Sequence, residues 1–368
     1  MNVLLITPFY NDNAEISRPG FVREVLVKNN INVDIVTSDF SHPQKTKVKF
    51  DSDKIKTIKT LSYNNNTSIF RFISHFLLAL SLFYYGFKNR NKYDIFYVTA
   101  PFAIVVLLLK IFTSNKIIVD IIDFWPDSLP FPKNKLLAIV LSCWSKINRM
   151  SINLADSAIS LSTTFLKEAN KIKNKKQILL GSKSRFKSLD NNHNSEYDLR
   201  IVYIGNIGLL YDFDTLLDAI VDSRLKIHVN IVGDGDKRHS VIERLEKGNI
   251  SYTYYGIIYN DDKLDNIILE SDFGFNGFIN TTASFSYKAI SYFKYGLPII
   301  NSMKGDLWDY VEEYEIGYNY TGGDKKQLAT VLSSCSLSLT DNVQSFFNEN
   351  LEYEIVSKKI LQTFLELS

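Results

Sequence analysis

The chain has 368 residues, which exceeds what one hydrophobic core usually holds, so two domains are expected. Its apolar share of 45% and charged share of 22% are typical of a soluble globular protein. With 42 basic and 40 acidic side chains the formal net charge is only +2, which argues against a dedicated nucleic-acid binder.

The first half of the chain alternates predicted strands and helices. The N-terminus has no basic leader and its apolar run covers only residues 3–6, which predicts a first strand at 2–7 rather than a secretion signal. A helix and a second strand follow, and a β-α-β beginning implies a parallel sheet with right-handed connections. The predicted strands are 2–7, 32–37, 93–99, 116–122, 157–162 and 177–180, and the predicted helices are 21–29, 102–112, 136–153 and 164–171.

An apolar segment interrupts this alternation. Residues 73–87 contain no Lys, Arg, Asp or Glu, but this run of about fifteen residues is shorter than the ~20 that span a bilayer. Arg71 precedes it, and Lys88, Arg90 and Lys92 follow it. The segment is either a buried core helix or a helix lying on an anionic membrane surface, and the two interpretations can hold together.

A polar segment, DFWPDS, follows the strand at 116–122, at the carboxyl edge where open α/β sheets bind ligands. It begins with Asp123, and Trp125 lies two residues further on. Asp123 is either a polar group that faces a ligand or a turn former and helix cap, which are common roles of aspartate. The residues by themselves do not decide between these two interpretations.

The second half of the chain begins after a polar, asparagine-rich stretch at 190–197, which is interpreted as a linker. Strands and helices then alternate again, which predicts a second α/β domain. The predicted strands are 201–204, 226–232, 251–255, 272–278, 298–301 and 317–320, and the predicted helices start at 213 and cover 238–247, 262–270, 284–295, 306–314, 325–334 and 343–367.

The first strand of this half leads into the turn GNIG, which contains Gly205, Asn206 and Gly208. Two glycines let the backbone turn sharply and approach another group closely. Asp212 or Asp214 could cap the helix that follows, and a helix N-terminus after such a turn is a ready anion site. The hypothesis is a phosphate-binding loop; the alternative is an ordinary turn between a strand and a helix.

Lys288 is predicted to lie in the first turn of the helix at 284–295. A cation is unfavourable there, because the helix dipole prefers anions at its N-terminus. A bound phosphate shared by the ammonium and the helix N–H groups would explain this position. The alternative is a solvated surface lysine.

Other common catalytic and metal motifs are missing from the sequence. Cys143 and Cys335 lie far apart, which indicates neither a disulfide framework nor a zinc site. The segment Asp234-Gly235-Asp236 follows a strand and precedes a helix, so a turn and cap is preferred over a metal site. No Walker loop, nucleophile elbow or His-Glu-x-x-His pattern is present.

Several segments together resemble the retaining, nucleotide-sugar-dependent glycosyltransferases of the GT-B fold. The resemblance is to glycosyltransferase family 4, which includes bacterial enzymes that build capsule, O-antigen and exopolysaccharide. It covers nearly the whole chain. The matching segments are VLLITPFY, DFWPDS, YIGNIGLLYDFDTLLDAI, IVGDGD, YYGII and SYKAISYFKYGLPII.

The resemblance implies an α/β chain with two Rossmann-like parallel-sheet domains that face a central cleft. Residues 1–185 would bind the acceptor, and residues 186–345 would bind the nucleotide-sugar. Residues 346–368 would form a C-terminal helix that crosses back to the N-terminal domain. No cofactor and no metal is expected, because basic side chains and a helix N-terminus would offset the charge of the leaving diphosphate.

The resemblance also assigns expected roles to residues. Asp123 would lie at the reacting sugar, the turn GNIG at the diphosphate, Gly256 and Ile257 near the base, and Lys288 at phosphate or ribose. The expected donor-binding residues are Gly205, Asn206, Gly208, Lys183, Gly256, Ile257, Gly277, Ser286, Tyr287, Lys288 and Ser291, and the expected acceptor-side residues are Arg18 and Trp125.

The chain departs from the family pattern at four positions. Many members carry two glutamates with seven residues between them, and those places hold Ala283 and Ser291 here. Many also clamp the diphosphate with an arginine and a lysine, and those places hold Asn206 and Tyr211. The asparagine is usual in a subgroup with the same glycine turn. Lys183 or Arg18 could supply the missing charge.

Three functional hypotheses follow. The first is a retaining glycosyltransferase of hexosyltransferase type, which moves a sugar from a UDP- or GDP-linked donor to a lipid-linked or oligosaccharide acceptor in surface polysaccharide synthesis. The second is a non-catalytic GT-B subunit that binds glycan or assists another transferase. The third is a different GT-B enzyme, such as an epimerase or phosphorylase. A cytoplasmic protein is expected, with peripheral contact to an anionic membrane through residues 69–92.

Overall fold

The chain is built on two parallel β-sheets, one in each of two compact units. In the computed structural model one unit comprises residues 1–181 and 354–368, and the other comprises residues 182–353. The structure describes residues 1–15, 17–41, 45–63, 69–127, 135–186, 196–258, 261–279 and 281–368. Ser128 and residues 190–195 of the predicted linker lie outside these described residues.

Among the described residues of the first unit, nine strands and five α-helices precede its last segment. The strands are β1 (Asn2–Ile6), β2 (Asn32–Ser38), β3 (Phe40–Ser41), β4 (Thr46–Lys47), β5 (Ile55–Ile58), β6 (Ile95–Ala100), β7 (Lys116–Ile121), β8 (Ser157–Ser160) and β9 (Asn174–Gln177). The helices are α1 (Arg18–Lys28), α2 (Ile69–Lys88), α3 (Ile104–Phe112), α4 (Lys135–Ile152) and α5 (Thr163–Glu168).

The sheet of the first unit has the strand order β5-β2-β1-β6-β7-β8-β9, and all its pairs are parallel. The order changes direction between β1 and β6, which is where open α/β sheets form a ligand crevice. Strands β1, β6 and β7 are almost entirely buried because they are short apolar runs in the middle of the sheet. Strands β3 and β4 form a separate small hairpin.

The second unit repeats the architecture. Its strands are β10 (Leu199–Ile204), β11 (Ile227–Val232), β12 (Ser251–Gly256), β13 (Phe273–Asn276), β14 (Ile299–Asn301) and β15 (Gly317–Asn319). Its helices are α6 (Phe213–Ser223), α7 (Arg238–Lys247), α8 (Asp261–Leu269), α9 (Tyr287–Phe293), α10 (Asp306–Tyr314), α11 (Lys325–Ser334) and α12 (Thr340–Asn350), and α13 (Tyr353–Leu365) follows.

The parallel sheet of the second unit has the order β12-β11-β10-β13-β14-β15. Numbered within the unit, this is 3-2-1-4-5-6, the doubly wound order of dinucleotide-binding folds. A continuous core of apolar side chains from the strands, α6 and α11 fills one side of this sheet. The strand order reverses its direction between β10 and β13. The turn after β10 therefore lies at the crevice where a ligand is expected.

The closing segment differs from the prediction in one respect. The predicted single helix at 343–367 is two helices, α12 and α13, because the chain turns at Leu351 and Glu352. Residues 354–368 belong to the first unit, where Phe364 is buried and stacks on Tyr97 with ring centroids 6.2 Å apart. Of the segment 346–368 that was expected to return to the N-terminal domain, residues 354–368 belong to the first unit, whereas residues 346–353 belong to the second.

Two further sequence predictions are wrong in position. The predicted strand at 177–180 is displaced, since β9 is the polar segment Asn174–Gln177, which pairs with β8 at the sheet edge. The apolar residues that suggested a strand, Ile178 to Leu180, are buried beyond the ladder. Helix α9 is shorter than 284–295, because Ser286 caps it by accepting a hydrogen bond from the Ala289 N–H.

Helix α2 combines a buried face with an exposed apolar face. Ser74, Leu78 and Leu82 are buried, and α2 packs on α3. Phe70 and Phe76 are exposed. Among the described helices, α2 is long and apolar enough to cross a membrane by length and composition alone. The core interpretation therefore holds for one face, and the membrane interpretation of the other face stays a prediction.

Candidate functional site

The glycine turn after β10 packs directly against the turn after β11. A Cβ on Gly233 would lie 1.8 Å from the carbonyl oxygen of Gly205, and Gly233 has φ +133°, so only glycine fits. The Ile207 N–H donates to the carbonyl of Asp234 (2.9 Å), which ties the two turns together. Part of the glycine signal therefore reflects close packing of two backbone segments rather than approach to a ligand.

Helix α6 starts next to this turn, with Asp212 at its N-cap position. The Asp212 carboxylate is buried and accepts hydrogen bonds from the Tyr320 hydroxyl (3.0 Å) and the Gly323 N–H (2.9 Å). Asp214 is exposed and pairs with Arg244. Neither predicted cap is confirmed, and in the described structure no side chain caps the first turn of α6. An anion site at a helix N-terminus requires such an uncapped turn.

Lys288 lies over the glycine turn, inside a cluster of aromatic rings. Its Nζ donates to the Tyr203 hydroxyl (3.0 Å) and lies 3.5, 4.4 and 4.7 Å from the ring centroids of Tyr211, Tyr203 and Phe278. A Cβ on Gly205 would lie 3.5 Å from the Lys288 side chain. The alternative of a solvated surface lysine is therefore wrong.

The charge of Lys288 is poorly solvated. Burial lowers the pKa of this ammonium well below its usual value. Across the described ranges no carboxylate forms an ion pair with it, so the Tyr203 hydroxyl and the surrounding rings are its main sources of stabilisation. An anion bound above the glycine turn would provide the missing counter-charge.

A row of asparagines supports the N-terminus of α9. Ser286 Oγ donates to Asn276 Oδ1 (2.6 Å), Asn276 Nδ2 donates to Asn301 Oδ1 (2.8 Å), and Asn301 Nδ2 donates to Asn319 Oδ1 (2.7 Å). These asparagines end the neighbouring strands β13, β14 and β15. This row was not predicted from the sequence, although an asparagine near the end of three successive strands was a signal for it.

Several expected donor residues lie on the same sheet edge. The Gly256 carbonyl accepts from the Gly233 N–H (2.8 Å), and a Cβ on Gly256 would meet no atom within 4 Å. Ile257, the next residue, is exposed. Gly277 is required by packing, because its Cβ would lie 2.2 Å from the Phe275 ring.

The remaining expected donor residues are less closely tied to the turn. Tyr287 is exposed at the start of α9, and Ser291 Oγ donates to the Tyr287 carbonyl (3.2 Å). Asn206 and Lys183 are also exposed. The Lys183 ammonium lies 6.0 Å from the centroid of the Tyr353 ring, where the first and last residues of the second unit meet. The structure therefore groups Lys288 with the glycine turn and leaves Lys183 outside that group.

Arg18 is a correction to the expected acceptor side. Its side chain is buried, with 2% of the residue exposed, and Nε pairs with Asp120 Oδ2 (2.5 Å). Nη1 also donates to the Ile178 carbonyl (2.6 Å). Because this charge is already neutralised, Arg18 cannot act as a free cation for a ligand.

Asp123 and Trp125 lie together at the carboxyl edge of the first sheet. The Asp123 carboxylate accepts from the Phe124 N–H (2.8 Å) and from Trp125 Nε1 (2.6 Å), so it forms the turn. His75 stacks on Trp125, with ring centroids 5.3 Å apart, and the Arg71 guanidinium lies 4.8 Å from the same ring. Burial lowers the pKa of Arg71, and the nearby charges of Tyr63 and Asp123 oppose this shift.

In the sequence, Arg71 stood out only as a flank of the apolar segment, and nothing singled out His75. Both residues lie on α2, far in sequence from Asp123. Among the described residues, no group of three or more His, Cys, Asp or Glu side chains is arranged to hold a metal ion.

No protein-family model matches the chain, and no curated protein matches it in sequence. Solved structures match it over its full length. Sucrose-phosphate synthase from Thermosynechococcus elongatus has a TM-score of 0.76 at 17% identity, covering 100% of this chain and 99% of that one. Anabaena HepE in complex with UDP has a TM-score of 0.69 at 13% identity, covering 100% of both chains.

The lipopolysaccharide outer core galactosyltransferase WaaB is a third similar structure, with a TM-score of 0.67 at 14% identity over 100% of this chain and 99% of that one. These structures are GT-B glycosyltransferases. At such low identity the likeness concerns the fold, and it agrees with the two parallel sheets described above. The predicted α/β GT-B fold is confirmed.

Proposed function

We propose that this protein is a glycosyltransferase that moves a sugar from a nucleotide-sugar donor to an acceptor. The observation that carries the proposal is Lys288: a half-buried ammonium with no carboxylate partner among the described residues, held above the glycine turn at the switch point of a dinucleotide-type sheet. A diphosphate is the anion that fits a cation, a glycine turn and a helix N-terminus together.

The donor is proposed to be UDP-linked, because HepE was solved with UDP, with UDP-glucose and with UDP and glucose. The diphosphate would contact the turn at Gly205 and Gly208, the start of α6 and Lys288. The base would lie beside Gly256 and Ile257. These groups would stabilise the negative charge that develops on the leaving diphosphate. No metal is needed for this role, so excess chelator is expected to leave activity unchanged.

The reaction is proposed to retain the anomeric configuration. The bond between the anomeric carbon and the phosphate oxygen breaks, and the acceptor oxygen forms a bond to the same face of that carbon. The acceptor hydroxyl proton goes to the leaving phosphate, so no strong general base is required. Asp123 would orient the acceptor sugar. NMR of the product, compared with the donor, tests retention directly.

The acceptor is proposed to belong to a bacterial surface polysaccharide. WaaB acts in lipopolysaccharide outer core synthesis by its description, and WaaG is described as a glycosyltransferase of lipopolysaccharide biosynthesis. The protein would work in the cytoplasm, attached to the membrane through the exposed apolar side chains of α2 and the basic Lys88, Arg90 and Lys92. Sedimentation with anionic vesicles tests this attachment, and no binding at low salt would refute it.

The decisive experiment for the donor is a thermal-shift screen against UDP, GDP, CMP and their sugar conjugates, followed by turnover with the ligand that stabilises the protein. Lys288→Met is expected to reduce the shift strongly at the same ligand concentration. Lys294→Met, at the end of the same helix, removes a lysine that also lies near an aromatic ring and is the matched control. Equal shifts in both variants would reject the diphosphate site.

A second function, a non-catalytic glycan-binding subunit, is favoured by one specific observation. Tyr211 and Ser291 occupy places where many relatives carry charged groups, and the Tyr211 ring covers the Lys288 ammonium at 3.5 Å. If UDP-sugars bind but no acceptor receives the sugar, and no slow hydrolysis of the donor occurs, this second function is preferred.

A further inference from the structure

Helix α2 borders two cavities of different character. The cavity between α2, α3 and α4 has a volume of about 550 Å³ and is lined mainly by aromatic and aliphatic side chains. The other is a groove of about 1030 Å³ between α2 and the strand β5. Residues 56–59 form one wall of this β5 groove, and side chains of α2 and of the turn that follows it form the other. The β5 groove combines an open strand edge, an apolar strip and several cations.

Strand β5 is at the edge of the seven-stranded sheet and pairs only with β2. The Ile35 N–H donates to the Lys54 carbonyl (2.8 Å), and the Asp39 N–H donates to the Ile58 carbonyl (3.0 Å). Because alternate residues of a parallel strand bond to the same neighbour, Thr57 directs its N–H and C=O away from β2. In the part of the chain that the structure describes, no second strand pairs with β5 on this side. An open edge of this kind can accept a further strand.

The opposite wall of the β5 groove is one face of α2. Leu77, Leu80, Tyr84 and Lys88 follow one another at intervals of three or four residues, so they lie on the same side of the helix. The first three of these side chains are exposed to solvent. An extended segment between this face and β5 would cover their apolar surface while it pairs with the strand. In strand addition, main-chain hydrogen bonds provide affinity and alternate side chains provide specificity.

The charged part of the lining is basic. Four lysines line the β5 groove, two beside β5 and two at the end of α2 and in the next turn: Lys56, Lys59, Lys88 and Lys92. No aspartate or glutamate lines it, and among the described residues no carboxylate pairs with these four ammonium groups. Lys54, by contrast, pairs with Asp34 (3.3 Å) and lies outside the lining. Charge complementarity therefore calls for an acidic ligand.

We propose that the β5 groove binds an extended acidic segment of a partner protein, which adds a strand to β5. Acidic side chains of the segment would pair with the lysines, and apolar side chains between them would cover Leu77 and Leu80. A membrane fits less well, because a bilayer surface has no row of N–H and C=O groups to pair with a strand edge. The inference does not depend on the proposed transfer reaction. Lys88 also belongs to the membrane contact proposed above, so Thr57 and Lys56 are the residues that separate the two occupants.

The probe is an acetylated peptide of about nine residues that alternates Glu and Val, with a fluorophore at its C-terminus. Its anisotropy is measured with the full-length protein at low salt. Replacing every Glu by Lys is expected to weaken binding at least tenfold. Two further peptides carry N-methyl groups on all Glu amides or on all Val amides. Because only alternate N–H groups of an added strand face β5, only one of these peptides should lose affinity, by about two- to tenfold for each hydrogen bond removed.

Two substitutions in the protein separate strand pairing from charge. Thr57→Pro removes the N–H at the open edge and keeps the bonds to β2, since proline is tolerated where an edge N–H faces solvent. Lys56→Glu reverses one charge of the lining. Each is expected to weaken probe binding at least threefold. Lys175→Glu is the matched control, because Lys175 is an exposed lysine on β9, the other edge strand of the same sheet, and it should bind the probe like wild type.

Thermal unfolding of each variant shows whether it is folded, and the methylated peptides test the wild-type protein without any substitution. Three results would overturn the inference. One is no anisotropy change at protein concentrations up to about 0.5 mM. The second is equal affinity of the probe and both methylated peptides, which would exclude strand pairing. The third is unchanged probe binding by folded Thr57→Pro and Lys56→Glu.

Sedimentation with anionic vesicles distinguishes the membrane as an alternative occupant. Strand addition predicts that Thr57→Pro weakens probe binding and leaves vesicle binding unchanged, because a bilayer does not use the strand N–H. If Lys56→Glu weakens vesicle binding and the probe does not bind, the β5 groove is part of a membrane surface and the acidic partner is rejected.

Discussion

Replacing Lys288 tests the donor site most directly. Lys288→Met keeps the length of the aliphatic chain and removes the ammonium, and Lys288→Arg keeps a permanent charge. In the free protein the Lys288 ammonium has one hydrogen bond, to Tyr203, and is otherwise surrounded by rings. A diphosphate would add a charge-assisted hydrogen bond, which contributes about 1.5–3 kcal/mol. Lys288→Met is therefore expected to weaken UDP binding about 10- to 150-fold.

The stability of the protein should change much less. Removing the ammonium relieves the cost of its burial, but it also removes cation–π attraction of about 0.5–2 kcal/mol. These effects oppose each other, so the free energy of unfolding in urea is expected to change by less than about 1 kcal/mol. A large loss of affinity with a small change in stability distinguishes a ligand-binding lysine from a structural one.

The pH dependence provides a second readout of the same group. Burial lowers the pKa of Lys288 in the free protein, and a bound phosphate would raise it again, so binding takes up a proton. Above the free-state pKa, UDP affinity should fall about tenfold per pH unit until the bound-state pKa is reached. For folding, the unfolded chain binds this proton more tightly, so stability rises with pH between the lowered folded pKa and the unfolded value of about 10.4.

Isothermal titration calorimetry in buffers of different ionisation enthalpy measures both affinity and proton uptake. Wild type should take up protons on binding UDP at alkaline pH, and Lys288→Arg should bind without uptake because arginine stays protonated. The reasoning is refuted if Lys288→Met weakens UDP binding less than about threefold, or if wild type and Lys288→Arg show the same pH dependence. Lys294→Met serves as the control in each experiment.

Three further predictions concern the framework of the site. Gly233→Ala should lower the free energy of unfolding by about 2–5 kcal/mol, because its Cβ would lie 1.8 Å from the Gly205 carbonyl oxygen at φ +133°. The same free energy of unfolding in urea for the variant and the wild type would contradict this. Asp120→Ala should cost about 3–5 kcal/mol by leaving the buried Arg18 charge without its carboxylate, and a loss below about 1 kcal/mol would contradict it. Asn301→Ala should cost about 1–3 kcal/mol by interrupting the asparagine row, and should also weaken UDP binding through α9; unchanged UDP affinity would show that the row does not position that helix.

The strands were largely predictable, because buried parallel strands appear in a sequence as short apolar runs between helical segments. Most predicted strands lie within two residues of the observed ones. The exception, β9, is a polar segment at the sheet edge. Its strand conformation comes from backbone pairing with β8, and backbone pairing leaves no apolar pattern to recognise.

The candidate site was predictable only in part. The position of Lys288 at a helix start, close after a strand, indicated a phosphate-binding role from local sequence alone. That Tyr203, Tyr211 and Phe278 surround its ammonium depends on the end of β10, the connection that follows it and the segment after β13, which all meet the start of α9. Arg18 is the opposite case, because the sequence suggested a cation available to a ligand and the structure shows a buried ion pair. Its partner Asp120 lies 102 residues away in the chain, so the pairing had no local signal.

The sequence by itself determined the two α/β halves and most of their helices and strands, although not β3, β4 and β5, and it identified the loops at which a ligand is expected. These features depend on short-range periodicity and on glycine turns, which are local properties of the chain. The tertiary structure alone decided which charges are neutralised, that aromatic rings and no described carboxylate surround the Lys288 ammonium, and where α2, α3 and α4 leave an apolar cavity. These features depend on contacts between residues that are far apart in the chain, and such contacts have no local signature.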